Sequence, residues 1–579
     1  MISNTRVVLT AASLSSVAPR FPNTSSTTSG NSNNNKNNGN GNTSVSVGVG
    51  NNKSNSTSAT ISLSSGESIP STTKTRPART TSTSRQQPPP PPPTSPQGAT
   101  PEPRYPEPPA LRTMSAYFPL GYKEAAYQWW TSVTPPIAQQ NLLSYIPYIK
   151  ASLGAAAATA IPKPGFVAQS DPYGQRTWRT SMVQLSGKDR AINEFTVERE
   201  GEEVDNTLVI LHGYGAGLGF FYKNFEPLSR DPGWRLHSLD LLGMGNSSRP
   251  PFKVHAKEQK AKIREAEDWF VDALEEWRRI RKIEKFTLLG HSLGGYLAIS
   301  YAIKYPGHLN KLILASPVGI PEDPYAVNAA MPEPSSSTIA NEFTQDQKED
   351  IVKATEPVKD KNNFLNARSK AEGKAANNKE PPRRPINKWF VWLWDANVSP
   401  FSLVRLSGPF GPRLVSGWTS RRFSHLPEAE SQALHDYSYS LFRQRGSGEY
   451  ALAYLLAPGA FARSPMINRI QEVGRQVYKK EDGSQTRETG IPVVFMYGEQ
   501  DWMDIGGGYA AEEKLKARSR QALLHGTEEE KRKENGRARV VSIPKAGHHL
   551  YIDNADEFNR VVMEELRATA EQVRKEKST

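Results

Sequence analysis

The chain has 579 residues, a formal net charge of +13 and no cysteine. The missing thiols exclude disulfides and thiolate metal centres, and no apolar run reaches the roughly 18 residues that a membrane-spanning helix needs. Such a basic balance favours an anionic partner, nucleic acid or a lipid surface, and no motif that reads nucleic acid accompanies it.

Residues 1–112 are dominated by Ser, Thr, Asn, Gly and Pro, with an Asn-rich run at Asn31–Asn42 and a proline block at Pro88–Pro93. That composition buries too little apolar surface to offset chain entropy, so a disordered tail is expected. No acidic residue precedes Glu67, whereas Arg6, Arg20, Lys36 and Lys53 do, among many serines. Acid-poor, Ser-rich and Arg-bearing is the pattern of a mitochondrial targeting segment. The expected location is therefore mitochondrial, peripheral on the inner membrane or matrix side, with cytoplasm or lipid droplet as the alternative.

Residues 113–176 form an aromatic extension, including Tyr117-Phe118, Trp129-Trp130 and Tyr145. It either packs on the body or lies at a membrane interface, where Trp and Tyr sit well. Residues 177–320 read as the first part of an α/β core. Two antiparallel strands are expected between Thr177 and Glu198, then a buried strand Thr207–Leu211 ending in the loop His212-Gly213-Tyr214-Gly215-Ala216-Gly217. The strand Arg235–Leu239 follows, with Asp240 and the glycines after it expected to be structural.

The apolar run Phe286–Leu289 leads into Gly290-His291-Ser292-Leu293-Gly294, a G-x-S-x-G turn between a strand and a helix. Small residues on both sides of the serine allow the sharp bend that projects Oγ from the top of a sheet. A sixth strand is expected at Leu309–Ala315. Residues 321–488 then form an inserted lid, its part at 333–384 polar and expected to be disordered. Trp389 and Trp392, followed by Phe401, Val404, Phe410 and Trp418 and interleaved with Arg383, Arg384, Arg405, Arg413 and Arg422, suit contact with an anionic lipid surface. Trp389, Trp392, Arg383 and Arg384 are the expected membrane contacts.

Residues 489–579 complete the core. The strand Ile491–Gly498 is followed by Asp501, and Arg539–Ile543 by His548. The chain order Ser, Asp, His, each residue beyond a strand end, is that of the α/β-hydrolase fold. Ser292 is the expected nucleophile, His548 its base and Asp501 the acid that orients the imidazole. Asp504 and Glu499 are alternative acids and His549 the alternative base. The amides of Leu293 and Tyr214 are the expected oxyanion donors. No metal or cofactor is expected.

Gly290–Tyr296, Ser407-Gly408-Pro409-Phe410-Gly411-Pro412 and His548-His549-Leu550-Tyr551-Ile552-Asp553 together resemble one abhydrolase subfamily. It comprises the fungal mitochondrial cardiolipin-specific deacylase and its paralogues, and the animal N-acyl-phospholipid hydrolase and lipase co-activator. The resemblance implies a serine acyl-hydrolase acting on phospholipids, with cardiolipin deacylated to monolysocardiolipin. An acyl-CoA-dependent lysophosphatidic acid or lysophospholipid acyltransferase is the alternative, and a non-enzymatic lipid-surface scaffold a third. His548 and Asp553 also form an H-x4-D pattern, connected in that subfamily with acyl transfer. Because His548 already serves the triad, Asp553 is expected to be a loop or helix-capping residue.

Overall fold

A computed structural model of the protein describes residues 119–149, 171–322, 393–394, 396–457, 460–479 and 482–578. The expected tail, the polar lid segment 333–384, and Trp389, Trp392, Arg383 and Arg384 lie outside the described residues.

The strands are β1 (Arg176–Gln184), β2 (Ala191–Arg199), β3 (Asn206–Leu211), β4 (Trp234–Leu239), β5 (Phe286–His291), β6 (Leu309–Ala315), β7 (Val477–Lys479), β8 (Gln485–Arg487), β9 (Val493–Gly498) and β10 (Ala538–Ile543). Strands β7 and β8 pair with each other in a small ribbon. The others form one sheet in the order β1-β2-β4-β3-β5-β6-β9-β10. β1–β2 and β2–β4 pair antiparallel and the remaining pairs are parallel. This is the mostly parallel α/β-hydrolase sheet. Every residue of β3, β5 and β9 is buried, which is why these strands read as near-continuous apolar runs rather than alternating ones.

The helices, in chain order, are α1 (Tyr122–Thr131), α2 (Pro135–Leu143), α3 (Tyr222–Leu228), α4 (Gln259–Ile280), α5 (Leu293–Lys304), α6 (Phe401–Leu406), α7 (Gly411–Arg422), α8 (Glu428–Phe442), α9 (Ile505–His525), α10 (Leu550–Asp553) and α11 (Ala555–Ser578). Consecutive residues of β3 divide between two cores, as the period-2 geometry of a strand requires. Val209 and Leu211 pack with Phe270, Leu274 and Trp277 of α4 and Leu297 of α5. Leu208 and Ile210 pack with Phe225 of α3 and Phe558 and Val561 of α11. Each large side chain so enclosed contributes about 1.5–3 kcal/mol.

The inserted cap is built from α6, α7 and α8, with α1 and α2 of the aromatic extension packed against α7 and α8. Some of the cap side chains whose composition suits a lipid surface are interior. Phe401, Val404 and Trp418 are buried, because Phe401 stacks on Tyr214 and Phe442, and Trp418 packs on Phe423 and Phe442. Phe410, at 56%, is exposed, as are Leu403, Leu406 and Leu414 beside it. The extension packs on the body through one side and leaves another side exposed. Ala125 is buried and Gln128 bonds into α8, while Tyr122, Ala126, Trp129 and Trp130, one face at helical spacing, are exposed. Among the described residues no helix is long and apolar enough to cross a membrane.

Candidate active site

The turn between β5 and α5 is tight enough to dictate its own sequence. A Cβ on Gly290 would lie 2.4 Å from the carbonyl oxygen of Gly294, and one on Gly294 would lie 2.7 Å from those of Leu211 and His212. Between them Ser292 adopts φ 51° and ψ −115°. A non-glycine residue held there costs on the order of 1–3 kcal/mol, a kind of strain that clusters at functional sites. Two backbone bonds hold the turn: Ser292 N–H donates to Ala315 at 2.9 Å, and Val318 N–H to the Ser292 carbonyl at 3.3 Å.

His548 and Asp501 converge beside this turn from the loops after β10 and β9. His548 Nδ1 lies 3.2 Å from Asp501 Oδ1, and both side chains are buried. Asp501 is held from two sides: Met503 N–H donates to Oδ1 at 3.1 Å, and the Ser316 hydroxyl donates to Oδ2. Ser316 directly follows β6 and itself has φ 46°. The His548 carbonyl accepts from His291 Nε2 at 3.0 Å, and the two rings stand 4.8 Å apart, so the histidine loop is fastened to the residue just before Ser292. The Trp502 ring covers the other side of His548 at 4.8 Å.

The alternative acids and base have other employment. Asp504 caps α9 by accepting from Gly506 N–H at 2.9 Å. Glu499 accepts from Lys545 N–H at 2.9 Å. His549 Nδ1 accepts from Arg422 Nε at 3.2 Å. Burial holds His291 and His549 well below the ordinary imidazole range, with neighbouring cationic groups acting in the same direction, and burial lowers His212 too.

Asp553 closes the histidine loop. Its Oδ2 accepts from Gly547 N–H at 2.9 Å, and its two oxygens receive Arg422 Nη1 and Nη2 at 3.0 and 2.8 Å. It lies at the end of α10, so it is a loop clamp rather than a cap. The H-x4-D pair is thus not a contacting pair here: His548 turns Nδ1 to Asp501, and Asp553 turns to a cap arginine. Arg422 was expected to face lipid; its pairing with Asp553 gives it an internal role. Arg405 likewise pairs with Glu449 at 2.7 Å.

The loop after β3 lies against the serine. A Cβ on Gly213 would come within 2.9 Å of Ser292 Cβ. His212 fixes this loop, its Nδ1 donating to the Gly213 carbonyl at 2.7 Å and its Nε2 accepting from Leu241 N–H at 3.0 Å. Asp240 accepts from Leu218 N–H and Asn246 N–H, each at 2.7 Å, in the structural role its turn suggested. Leu293 opens α5 directly after Ser292, and the Tyr214 ring lies 5.1 Å from Phe401 of the cap. Both expected amide donors therefore belong to segments that border Ser292. The four expected membrane contacts, Trp389, Trp392, Arg383 and Arg384, lie outside the described residues. Ser316, Arg422 and Trp502 were not singled out as site residues from the sequence; only the fold brings them there. Among the described residues no group of three or more His, Asp or Glu is placed to hold a metal ion.

Comparison with known proteins agrees with this architecture. Residues 206–355 match the alpha/beta hydrolase fold family. A 1-acylglycerol-3-phosphate O-acyltransferase of Arabidopsis thaliana is 30% identical over 434 residues, covering 74% of this chain and 78% of that one. The chain belongs to the α/β-hydrolase family. A (lyso)-N-acylphosphatidylethanolamine lipase of Homo sapiens is 29% identical over 374 residues, covering 64% of this chain and 82% of the relative. This α/β-hydrolase therefore falls within a lipid-modifying branch of the family, whose named members include both acyltransferases and lipases.

Proposed function

We propose that the protein is a serine acyl-hydrolase that deacylates phospholipids, cardiolipin first among them. The observation that carries this reading is the His548–Asp501 contact at 3.2 Å beside the strained Ser292. Ser292 Oγ attacks the acyl ester carbonyl while His548 Nε2 takes its proton, and Asp501 stabilises the resulting imidazolium. The amides of Leu293 and Tyr214 hold the oxyanion. His548 returns the proton to the departing glycerol oxygen, leaving acyl-Ser292. Water, deprotonated by the same imidazole, then releases the fatty acid.

The substrate reaches the site from a membrane surface, in this reading. The exposed face of α1, with Trp130 82% accessible, and the exposed Leu406 and Phe410 support it, since aromatic side chains favour the lipid–water interface. Tyr122 and Phe410 meet edge to face at 6.0 Å, joining α1 to the cap in one surface, and Arg413 lies over the Tyr122 ring at 4.3 Å. The sequence immediately before α6 adds Arg383, Arg384, Trp389 and Trp392. Such a surface suits a peripheral enzyme on anionic lipid, and the acid-free leader suits a mitochondrial one. Residues 1–66 fused to a fluorescent protein should then enter mitochondria; a diffuse cytosolic signal would remove that part of the proposal.

The second reading, acyl transfer from acyl-CoA to a lysophospholipid, is favoured by the name of the Arabidopsis relative. Asp553 speaks against its H-x4-D form, because Arg422 and Gly547 already occupy both carboxylate oxygens. Transfer would have to pass through the same acyl-serine. A pure scaffold has no use for the Ser292, His548 and Asp501 arrangement. The deciding experiment gives purified protein cardiolipin vesicles, and separately acyl-CoA with lysophosphatidic acid. Free fatty acid released from the vesicles by wild type and not by Ser292→Ala is expected; acyl-CoA consumption without fatty acid release would replace hydrolase by transferase.

A further inference from the structure

A second polar site lies at the end of the sheet opposite Ser292. β1 presents Arg179 and β4 presents Arg235 and His237 toward the C-terminal end of α4, around a cavity of about 200 Å³ that Thr196 and Glu198 of β2, and Arg281 and Lys282, also line. The end of α4 leads into the start of β5, whereas Ser292 follows the end of β5, so the length of that strand separates the two places.

The charges here are unbalanced. Glu198 pairs with Arg235 at 2.6 Å, and the buried Glu194 takes Arg281 and His237 Nδ1, the latter at 2.7 Å. Trp277 Nε1 and the Ser181 hydroxyl also donate to Glu194, each at 3.1 Å. Both carboxylates are thus engaged. Arg179 and Lys282 have no ion pair among the described residues, and one buried nitrogen of a residue lining the cavity, His237 Nε2, has no hydrogen-bond partner, whereas Arg235 Nε is taken by Glu198. His237 is only 3% exposed, so Nε2 does not have solvent to satisfy it. A buried polar atom without a partner is costly, and here its residue lines a space that guanidinium and ammonium groups also border.

We infer that this cavity binds a phosphate-bearing anion. A tetrahedral oxyanion offers acceptors in several directions at once, which suits donors arriving from two strands and a helix end, and arginine forks match phosphate geometry. Arg179 and Lys282 supply the unneutralised charge, while Glu198 holds Arg235 at the cavity wall. His237 Nε2 donates when the ring is protonated, or accepts from a singly protonated phosphate when it is neutral. The site is independent of the acyl-serine chemistry, so it adds a small-molecule or headgroup contact to the protein without entering the reaction.

The test uses full-length protein in buffer free of phosphate and sulfate, titrated calorimetrically with inorganic phosphate and with glycerol 3-phosphate. A parallel arm measures binding to neutral vesicles with and without phosphatidic acid. Saturable binding is expected in one arm, and it should weaken about tenfold or more in Arg179→Ala/Lys282→Ala, with hydrolysis of a short soluble ester unchanged. Both side chains are exposed, so the variant should melt as wild type does; His237→Gln provides a second check. Loss confined to soluble ligands assigns a free phosphomonoester, and loss confined to vesicles assigns a lipid headgroup. Absence of saturable phosphate binding in every arm, or binding that ignores both variants, overturns the inference.

Discussion

At the scale of single residues, the site divides its acids by what each one touches. Asp501 meets the imidazole, while Asp504 meets a helix N-terminus. Asp501→Asn should therefore lower kcat on the order of 10^4-fold, as when a triad aspartate can no longer fix the tautomer, with little change in melting temperature. Asp504→Asn should do the reverse, sparing the rate and changing stability by less than about 1 kcal/mol, because Asn also caps helices well. Steady-state kinetics and thermal melts on both variants would expose an exchange of roles. Arg422 makes a different demand. Arg422→Met takes the guanidinium from Asp553, which is 8% exposed and keeps only Gly547 N–H and the more distant His425, and should destabilise by on the order of 3 kcal/mol. Adding Asp553→Asn should restore part of that loss, and failure to restore any would mean the clamp is not an ion pair in solution. Ser292, Asp501 and His548 are legible in the sequence because each follows an apolar strand at a recognisable turn. Ser316 and Arg422 are not, since their partners lie 185 and 131 positions away and no local pattern marks such contacts.

Among the elements, the joint between α1 and α8 makes stability depend on pH. Gln128 of α1 meets two neighbouring ionisable groups of α8, its Nε2 donating to Asp436 at 2.6 Å and its Oε1 facing His435 Nε2 at 3.0 Å. Burial pushes the Asp436 carboxyl up to about 6 and holds the His435 imidazole down to about 3. The folded state thus binds the Asp436 proton more tightly than the unfolded chain does, so this group's contribution is most favourable below about pH 4 and is lost as pH rises through 6. Asp436→Asn should accordingly raise stability by on the order of 1–2 kcal/mol above pH 6 and change little near pH 4. Melts across that range check it, and an equal effect at both ends would show that Asp436 titrates normally. His435 works the other way, staying neutral when folded and subtracting stability as pH falls below about 6.5. The sheet strands were readable because parallel strands bury both faces and so run apolar. The cap was harder: its aromatics and arginines have the composition of a lipid-facing surface, and only the packing of Phe401 between Tyr214 and Phe442 shows which of them are interior. On the exposed side, Trp130→Asp with Phe410→Asp should weaken binding to anionic vesicles while sparing a water-soluble ester. Equal loss on both substrates would make this face part of the catalytic body instead.

For the molecule as a whole, the proposed function assigns delivery to the net charge of +13 and chemistry to Ser292, His548 and Asp501. Turnover on cardiolipin vesicles should fall with added salt, because ions screen attraction between basic side chains and lipid phosphate over about 10 Å at 0.1 M. A soluble ester should show no such fall. Both consequences presuppose an acyl-enzyme on one serine, and that can be observed directly. Protein incubated with a long-chain fluorophosphonate, digested and examined by mass spectrometry should carry the adduct on the peptide containing Ser292. His548→Ala should form it far more slowly, and Ser292→Ala not at all. An adduct on another serine, or vesicle hydrolysis that persists in Ser292→Ala, would contradict the account.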